Sequence, residues 1–334
     1  MFFEKNTSTM VVYEEVLFNY IKEKLPSNIS FIDEIADVLD INYDAAYRRI
    51  KGKTSLTLKE SILLSKHYNF NLNNIYEDDE VASDKIIVEK THHVLSKDIL
   101  DKFFDKSIEE IDLILKAKNG KLTTAVKDLP LYHCDNSYIK SFRIFVLNNM
   151  LSKNPDIKKI PFAKFSPSKS ALDKYEKFLN NFQKASLVEI WNDTTIDNIL
   201  SQIAYFFEVG LITKEETTLI ANGLTESLKS IEEQAKNKKR KYSNNSFYLY
   251  HNNIFSLFNT VLIEHSKESI VYVPYTHLTY FKVLDNDTNL QLQNYLKTQI
   301  EFSTDLTGDA SVERRKFFNA MYQKIENRMF KLLL

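Results

Sequence analysis

The chain has 334 residues with 44 Lys and Arg against 45 Asp and Glu, a formal net charge of -1, so local fields matter more than the net value. An apolar fraction of 43%, with 23 Phe and 18 Tyr, fills sizeable cores and excludes a largely disordered chain, while 5 Gly and 6 Pro exclude glycine-rich phosphate loops and collagen-like tracts. Cys134 is the sole cysteine, which excludes an intrachain disulfide and cysteine-rich zinc sites.

Length predicts two or three domains. The opening residues MFFEKNTSTMVVYEE carry acids too early for a secretory signal, and no stretch approaches the roughly 18 uninterrupted apolar residues of a membrane span. The expected chain is cytoplasmic, with no membrane partner.

A first helix is expected over residues 9–25, ended by Pro26. Ser30 is placed to cap a second, in which Ile32, Ile35, Ala36 and Leu39 recur at helical spacing and Asp33 takes the third helical position. The joint Asp40-Ile41-Asn42 leads to a third helix over 43–51, with Tyr43, Ala46, Tyr47 and Ile50 expected to face inward and Asp44, Ala45, Arg48 and Arg49 outward. Gly52 stops it. Thr57 opens a fourth helix with Leu58, Ile62, Leu63 and Leu64, and a short helix ends near residue 75. Two helices joined by a tight turn, the second basic, form the helix-turn-helix arrangement used in major grooves.

Charge is polarised across this stretch. From 42 to 75 the cations are Arg48, Arg49, Lys51, Lys53, Lys59 and Lys66 and the acids only Asp44 and Glu60, whereas the preceding helix carries Asp33, Glu34, Asp37 and Asp40. The plain reading of 48–53 is a solvated helix end whose cations suit the helix dipole. Spacing and charge together favour nucleic acid over that reading.

The segment resembles the Cro/CI-type, lambda-repressor-like DNA-binding domain, in Ile35-Ala36-x-x-Leu39-x-Ile41 and in the Lys51-Gly52-Lys53 close of the recognition helix. Two positions depart from that pattern. Asp40 stands where the turn usually has Gly, and it tolerates a left-handed backbone better than most residues. Ile32 stands where a phosphate-contacting Gln is common. The motif assigns Asn42, Tyr43, Asp44, Tyr47 and Arg48 to base edges, with Arg48 the main candidate for a bidentate guanine contact. Arg49, Lys51, Lys53 and Thr54 are assigned to the DNA backbone.

Beyond residue 80, a linker is expected over 81–90. Apolar residues from Ile99 to Leu115 recur at three and four, marking a long helix over 95–118 closed by Asn119-Gly120. It is read either as a dimerisation helix or as the first packed helix of the second domain. Residues 122–132 read as a strand, a helix opened by Asp135 or Ser137 reaches 151, and 154–168 read as a loop; helices follow at 169–185, 193–209 and from the capping box Thr213/Glu216 to 236. Strands are expected at 246–250, 260–265, 269–275 and 278–284, then helices at 291–302 and 312–334. The segments LPLYHCDNSYIKSFRIFVLNN, IWNDTTIDNILSQIAYFFEVGLITKEE and EFSTDLTGDASVERRKFFNAMYQKI look like the long C-terminal part of bacterial helix-turn-helix proteins of about this length. That likeness implies a regulator with an α+β appendage and supplies no activity.

Catalytic constellations are thin. Tyr132-His133-Cys134-Asp135 sets a thiol beside an imidazole, but adjacent side chains at a strand end point apart, and a core cysteine is the better reading. His251, Glu264-His265 and His277 lie near strands and are read as structural, as is the surface pair His92-His93. Trp191 with Tyr205, Phe206 and Phe207 reads as core rather than as an aromatic cage. The tract from Lys236 to Lys241 is read first as a solvated helix end, with phosphate contact as the lesser alternative. No P-loop, HExxH, GxSxG or dinucleotide fingerprint occurs.

These readings converge on a mainly α protein: an all-α helix-turn-helix domain over 1–80, then a larger α+β domain over 91–334 with a small sheet. The expected function is a sequence-specific, DNA-binding transcriptional regulator rather than an enzyme. Double-stranded DNA and a second copy of the chain are the expected partners, the larger domain serving dimerisation and the sensing of a small-molecule or protein effector; no cofactor or metal is expected. The alternative is an interaction or assembly factor that uses the helical module as a docking surface, an idea kept open by 9 Lys and Arg against 14 Asp and Glu through residue 80.

Overall fold

The chain divides into two units, residues 1–87 and 88–334, described in a computed structural model that covers residues 13–26, 29–68, 70, 72, 86, 88–91, 99–152, 156, 159–266 and 268–334. The short helix expected near 75, the linker through 85, and His92-His93 lie outside the described residues.

Among its described residues the first unit has four α-helices: α1 (Tyr13–Lys24), α2 (Phe31–Leu39), α3 (Tyr43–Ile50) and α4 (Leu58–His67). Each gives its apolar stripe to one core: Leu17, Phe18 and Ile21 from α1, Ile35, Ala36 and Leu39 from α2, Ala46 from α3 and Leu64 from α4. Phe70 closes it, edge-on to Tyr20 at 5.2 Å.

Turns rather than helix propensity set the geometry here. Asp40 adopts φ 53°, ψ 49°, and the amides of Asp40 and Ile41 donate back to Asp37 and Ala36, satisfying carbonyls the ended helix would leave bare. The same device ends α3: Gly52 has φ 65°, and the amides of Gly52 and Lys53 donate to the carbonyls of Arg49 and Arg48 at 2.9 and 2.8 Å. Asn42 caps the start of α3 by accepting from the Ala45 amide at 2.8 Å, and Thr57 forms a reciprocal capping box with Glu60 at the start of α4. Ser30 occupies the cap position of α2 without a side-chain cap bond.

The second unit is built on a sheet in the order β1-β7-β6-β5-β2-β3-β4-β8. The strands are β1 (Val88–Lys90), β2 (Lys121–Ala125), β3 (Leu187–Trp191), β4 (Phe247–His251), β5 (Thr260–His265), β6 (Glu268–Pro274), β7 (Tyr280–Val283) and β8 (Thr304–Asp305). Only β2, β3 and β4 run parallel, joined through α6 (Ser137–Leu151) with α7 (Lys169–Phe182), and through α8 (Asp197–Glu208) with α9 (Lys214–Asn237). The main core gathers side chains of these helices, of α5 (Ile99–Lys116) and of α11 (Ser311–Leu333) on one face. A smaller core on the other face joins Ala125, Ile190, Leu262 and Val271 to Leu296 of α10 (Asn286–Glu301).

The fold is therefore mixed α/β, and its sheet of eight strands is larger than the small sheet expected. β3 is not marked in the sequence, because all five of its residues, Leu187 to Trp191, are buried, so no alternation shows it and Glu189 interrupts the apolar run. β1 falls inside the expected linker and pairs antiparallel with β7, which moves residues 88–90 into the second unit. The expected strand over 122–132 stops at Ala125, and Leu131–His133 form a single 3-10 turn. α5 packs as the first helix of the second unit, Phe104, Ile108 and Ile111 entering its core, and α11 adds Phe317, Met321 and Ile325 to the same core. No helix among the described residues is long and apolar enough to cross a membrane.

The two left-handed positions allow a direct check. Asp40→Gly should stabilise the first unit by about 0.5–1 kcal/mol, since a side chain in the left-handed region is penalised and Gly is not. Gly52→Ala should destabilise it by about 1 kcal/mol. No atom lies within 4 Å of a Cβ built at Gly52, so that loss reports backbone conformation alone. Hydrogen exchange of α2 and α3 amides in the full chain, slower for the first variant and faster for the second, measures both.

Candidate nucleic-acid interface

The short turn Asp40-Ile41-Asn42 and the buried Ala46 together decide which side of α3 meets solvent. Tyr43 and Tyr47, expected inward, are instead 50% and 37% exposed. Ala46 is buried, with Ala45, Arg49 and Ile50 half-buried beside it. An eight-residue helix resting on a single alanine leaves no room beneath it for two tyrosines, so the inward stripe is shifted by about one residue from the expected one. Consequently Asn42, Tyr43, Asp44, Tyr47 and Arg48 are all exposed along the first turns of α3.

Arg48 folds back along its helix, its Nε donating to the Asp44 carbonyl at 3.2 Å. The turn after α3 presents Lys51, Lys53 and Thr54, all exposed, and the Lys53 ammonium sits 5.7 Å from the centroid of the Tyr47 ring. Cations are thus gathered at the end of α3, where the helix dipole favours them.

Arg49 behaves differently from its expected assignment to the DNA backbone. Its Nε and Nη2 both lie 2.8 Å from Glu60 Oε1, and Nη1 donates to the Ala45 carbonyl at 3.3 Å. Glu60 simultaneously closes the capping box of α4, with Oε2 accepting from the Thr57 amide at 2.8 Å. Burial pushes the Glu60 carboxyl up, but the Arg49 and Thr57 bonds outweigh it and hold the group below its ordinary range. Arg49 is therefore the tie between α3 and α4. The T-x-x-E spacing of Thr57 and Glu60 was a legible signal for the box; the partnership with Arg49, eleven residues away, was not. Ile32 packs against the core of the unit.

In the second unit the His/Cys candidates separate. Cys134 is buried, and burial pushes its thiol up to about 12, which keeps it protonated and unreactive. His133 turns instead to Glu189, its Nε2 2.8 Å from Oε2. Glu189, fully buried on β3, also accepts from the Tyr132 hydroxyl at 2.6 Å and from Trp191 Nε1 at 3.1 Å. Burial alone would raise its pKa, yet His133, the Tyr132 bond and Arg240 reverse the sign and keep it ionised.

Both oxygens of Glu189 are thus satisfied by Tyr132, His133 and Trp191, and no nucleophile stands among these side chains. His251 pairs with Asp193 at 2.9 Å, His265 approaches Glu268 at 4.0 Å and His277 borders a separate cavity, so the histidines do not converge. Among the described residues no group of three or more His, Cys, Asp or Glu side chains is arranged to hold a metal ion. Within the basic tract, Arg240 is buried, donating to Gln234 Oε1 at 2.8 Å and to the Phe182 carbonyl at 3.0 Å, and Lys241 pairs with Asp135 at 2.7 Å. Trp191 and Phe206 are core residues and Tyr205 is exposed.

Set against known proteins, the chain matches no family model, no curated protein and no solved structure.

Proposed function

We propose that the chain is a sequence-specific DNA-binding transcriptional regulator in which α3 enters the major groove as the recognition helix of a helix-turn-helix pair with α2. The observation that carries this reading is the concerted exposure of Asn42, Tyr43, Asp44, Tyr47 and Arg48 on the leading turns of a short helix that ends in a basic turn. Such a helix offers base-reading side chains first and phosphate-binding groups immediately after. Arg48 reads a guanine edge, and Lys51, Lys53 and Thr54 grip the backbone. Arg49 acts at one remove, holding α3 against α4 through Glu60.

Two modules are needed for useful affinity, because one helix-turn-helix reads only a few bases. A symmetric pair of chains reads a palindromic site, the second contact being made intramolecular with an avidity gain of roughly 10²–10⁴. Light scattering on the full chain should return twice the chain mass under binding conditions.

A second reading, a docking module for another protein, is favoured by the two exposed tyrosines and by the acid excess through residue 80. Salt dependence separates the two. If DNA is the partner, affinity falls steeply as salt rises, and Lys53→Ala reduces the magnitude of the log K against log salt slope by about 1. A flat salt response for the intact chain on every duplex tested favours the protein partner.

Arg48→Ala should flatten sequence preference, costing about 1–3 kcal/mol on the preferred site and much less on random duplex. Selection of bound sequences from a randomised pool, with intact and variant chains side by side, measures this. Uniform weakening on all sequences would reassign Arg48 to phosphate.

A further inference from the structure

One buried side chain fastens the loop after β4 to the end of α10. Asn252 is 2% exposed, and its Oδ1 accepts from the amides of Ile254 and Phe255 at 2.8 and 3.0 Å. Its Nδ2 donates to the carbonyls of Gln299 and Phe302 at 3.0 and 3.3 Å and reaches the Ser303 hydroxyl at 3.0 Å. A fully bonded buried amide makes the loop rigid. What it holds in place is apolar surface in water. Ile254 is 72% exposed, Phe302 60% and Tyr295 43%. Phe255 joins them, its ring centroid 5.9 Å from that of Tyr295 and 6.1 Å from that of Phe302, edge-on to both.

The outer side of α10 extends this face with Leu290, Gln291 and Asn294, all exposed. From Thr288 to Phe302 the only charged residues are Lys297 and Glu301, one helical turn apart and both exposed. Neither forms an ion pair among the described residues. A solvated helix ordinarily carries charge on its outer side, whereas the centre of a protein interface is poor in charge and rich in aromatic rings. Ile254, Tyr295 and Phe302 together leave roughly 300–400 Å² of apolar surface in water, as much as the largest patch on a typical monomer. That is most of the apolar share of the roughly 800 Å² that each partner contributes to a standard interface.

We propose that this face pairs with the same face of a second copy of the chain about a two-fold axis. Charge selects the occupant. One cation and one carboxylate side by side make the face neutral and complementary to itself, where two like charges would repel a second copy. In an antiparallel pair of α10 helices with the axis close to Thr298, residues equally far on either side of the axis meet. Tyr295 then packs on Phe302 of the second copy, and Lys297 faces Glu301 of the second copy. The inference deepens the symmetric pair proposed for DNA binding, and rests on that reading only for the expectation of two chains.

Sedimentation equilibrium on the full chain without DNA gives the test. The expected result is reversible association to twice the chain mass. Ile254→Asp and Phe302→Asp should each weaken it by at least about ten-fold while circular dichroism stays unchanged. Lys297→Glu and Glu301→Lys should each weaken it several-fold alone, and an equimolar mixture of these two variants should recover it as a heterodimer. Mixing restores opposite charges across the axis and would not repair a folding defect. A chain that stays monomeric, a dimer untouched by both aspartate variants, or no recovery on mixing would each overturn the proposal. A dimer untouched by those variants leaves the DNA reading standing, whereas a chain that dimerises as expected but binds no duplex removes the DNA reading alone.

Discussion

An ionised carboxylate at the centre of a sheet is the constraint around which the second unit is arranged. Glu189 has no water to solvate it, and an isolated charge there would be far too costly to keep. Its two oxygens are met by Tyr132, His133 and Trp191, and Arg240 adds a compensating charge from the turn after α9. Satisfying that one side chain draws the 3-10 turn at Leu131–His133 down onto β3. The same demand brings in the basic turn, where Arg240 stacks on Phe247 at 5.3 Å from the ring centroid and reaches back to Gln234 and Phe182. Elements distant in sequence are thereby locked around one point of negative charge.

That arrangement accounts for the placement of the neighbouring groups. With His133 committed to Glu189, Cys134 is left facing the Pro130 carbonyl at 3.8 Å inside the core, and the adjacent thiol and imidazole never form a dyad. Tyr132 stacks on Phe182 at 4.8 Å, and both rings become wall of a cavity under α5. Around Glu189 the carboxylate bonds are complete, while Arg240 Nε is left without a hydrogen-bond partner.

The first unit works on a smaller scale, with turns in place of a large core. Two left-handed residues, Asp40 and Gly52, bracket α3, so the helix is short at both ends and fixed in direction. Arg49 and Glu60 then couple it to α4 at the start of that helix. Glu60 is at once a cap and half of an ion pair, which makes a single carboxylate responsible for the local geometry of both α3 and α4.

Much of this was legible from residue order alone. The α1–α4 succession, the left-handed turn at Asp40, the stop at Gly52, the capping box at Thr213 and Glu216, and the strands β4 to β7 all follow from local periodicity and turn chemistry, which depend on neighbours within a few residues. What tertiary structure decided is what depends on partners far along the chain. The side of α3 that faces solvent was set by packing against α1 and α2 rather than by its own stripe, which is why Tyr43 and Tyr47 turned outward. β3 was invisible because a strand buried on both faces has no alternation, and its central Glu189 became tolerable only when partners some 57 residues upstream were brought to it. Arg49, expected outward as a DNA-backbone contact, is drawn to Glu60 only because the fold brings α4 beside it. Local sequence determines which elements form; burial and charge compensation, which are properties of the assembled chain, determine which of their side chains remain available.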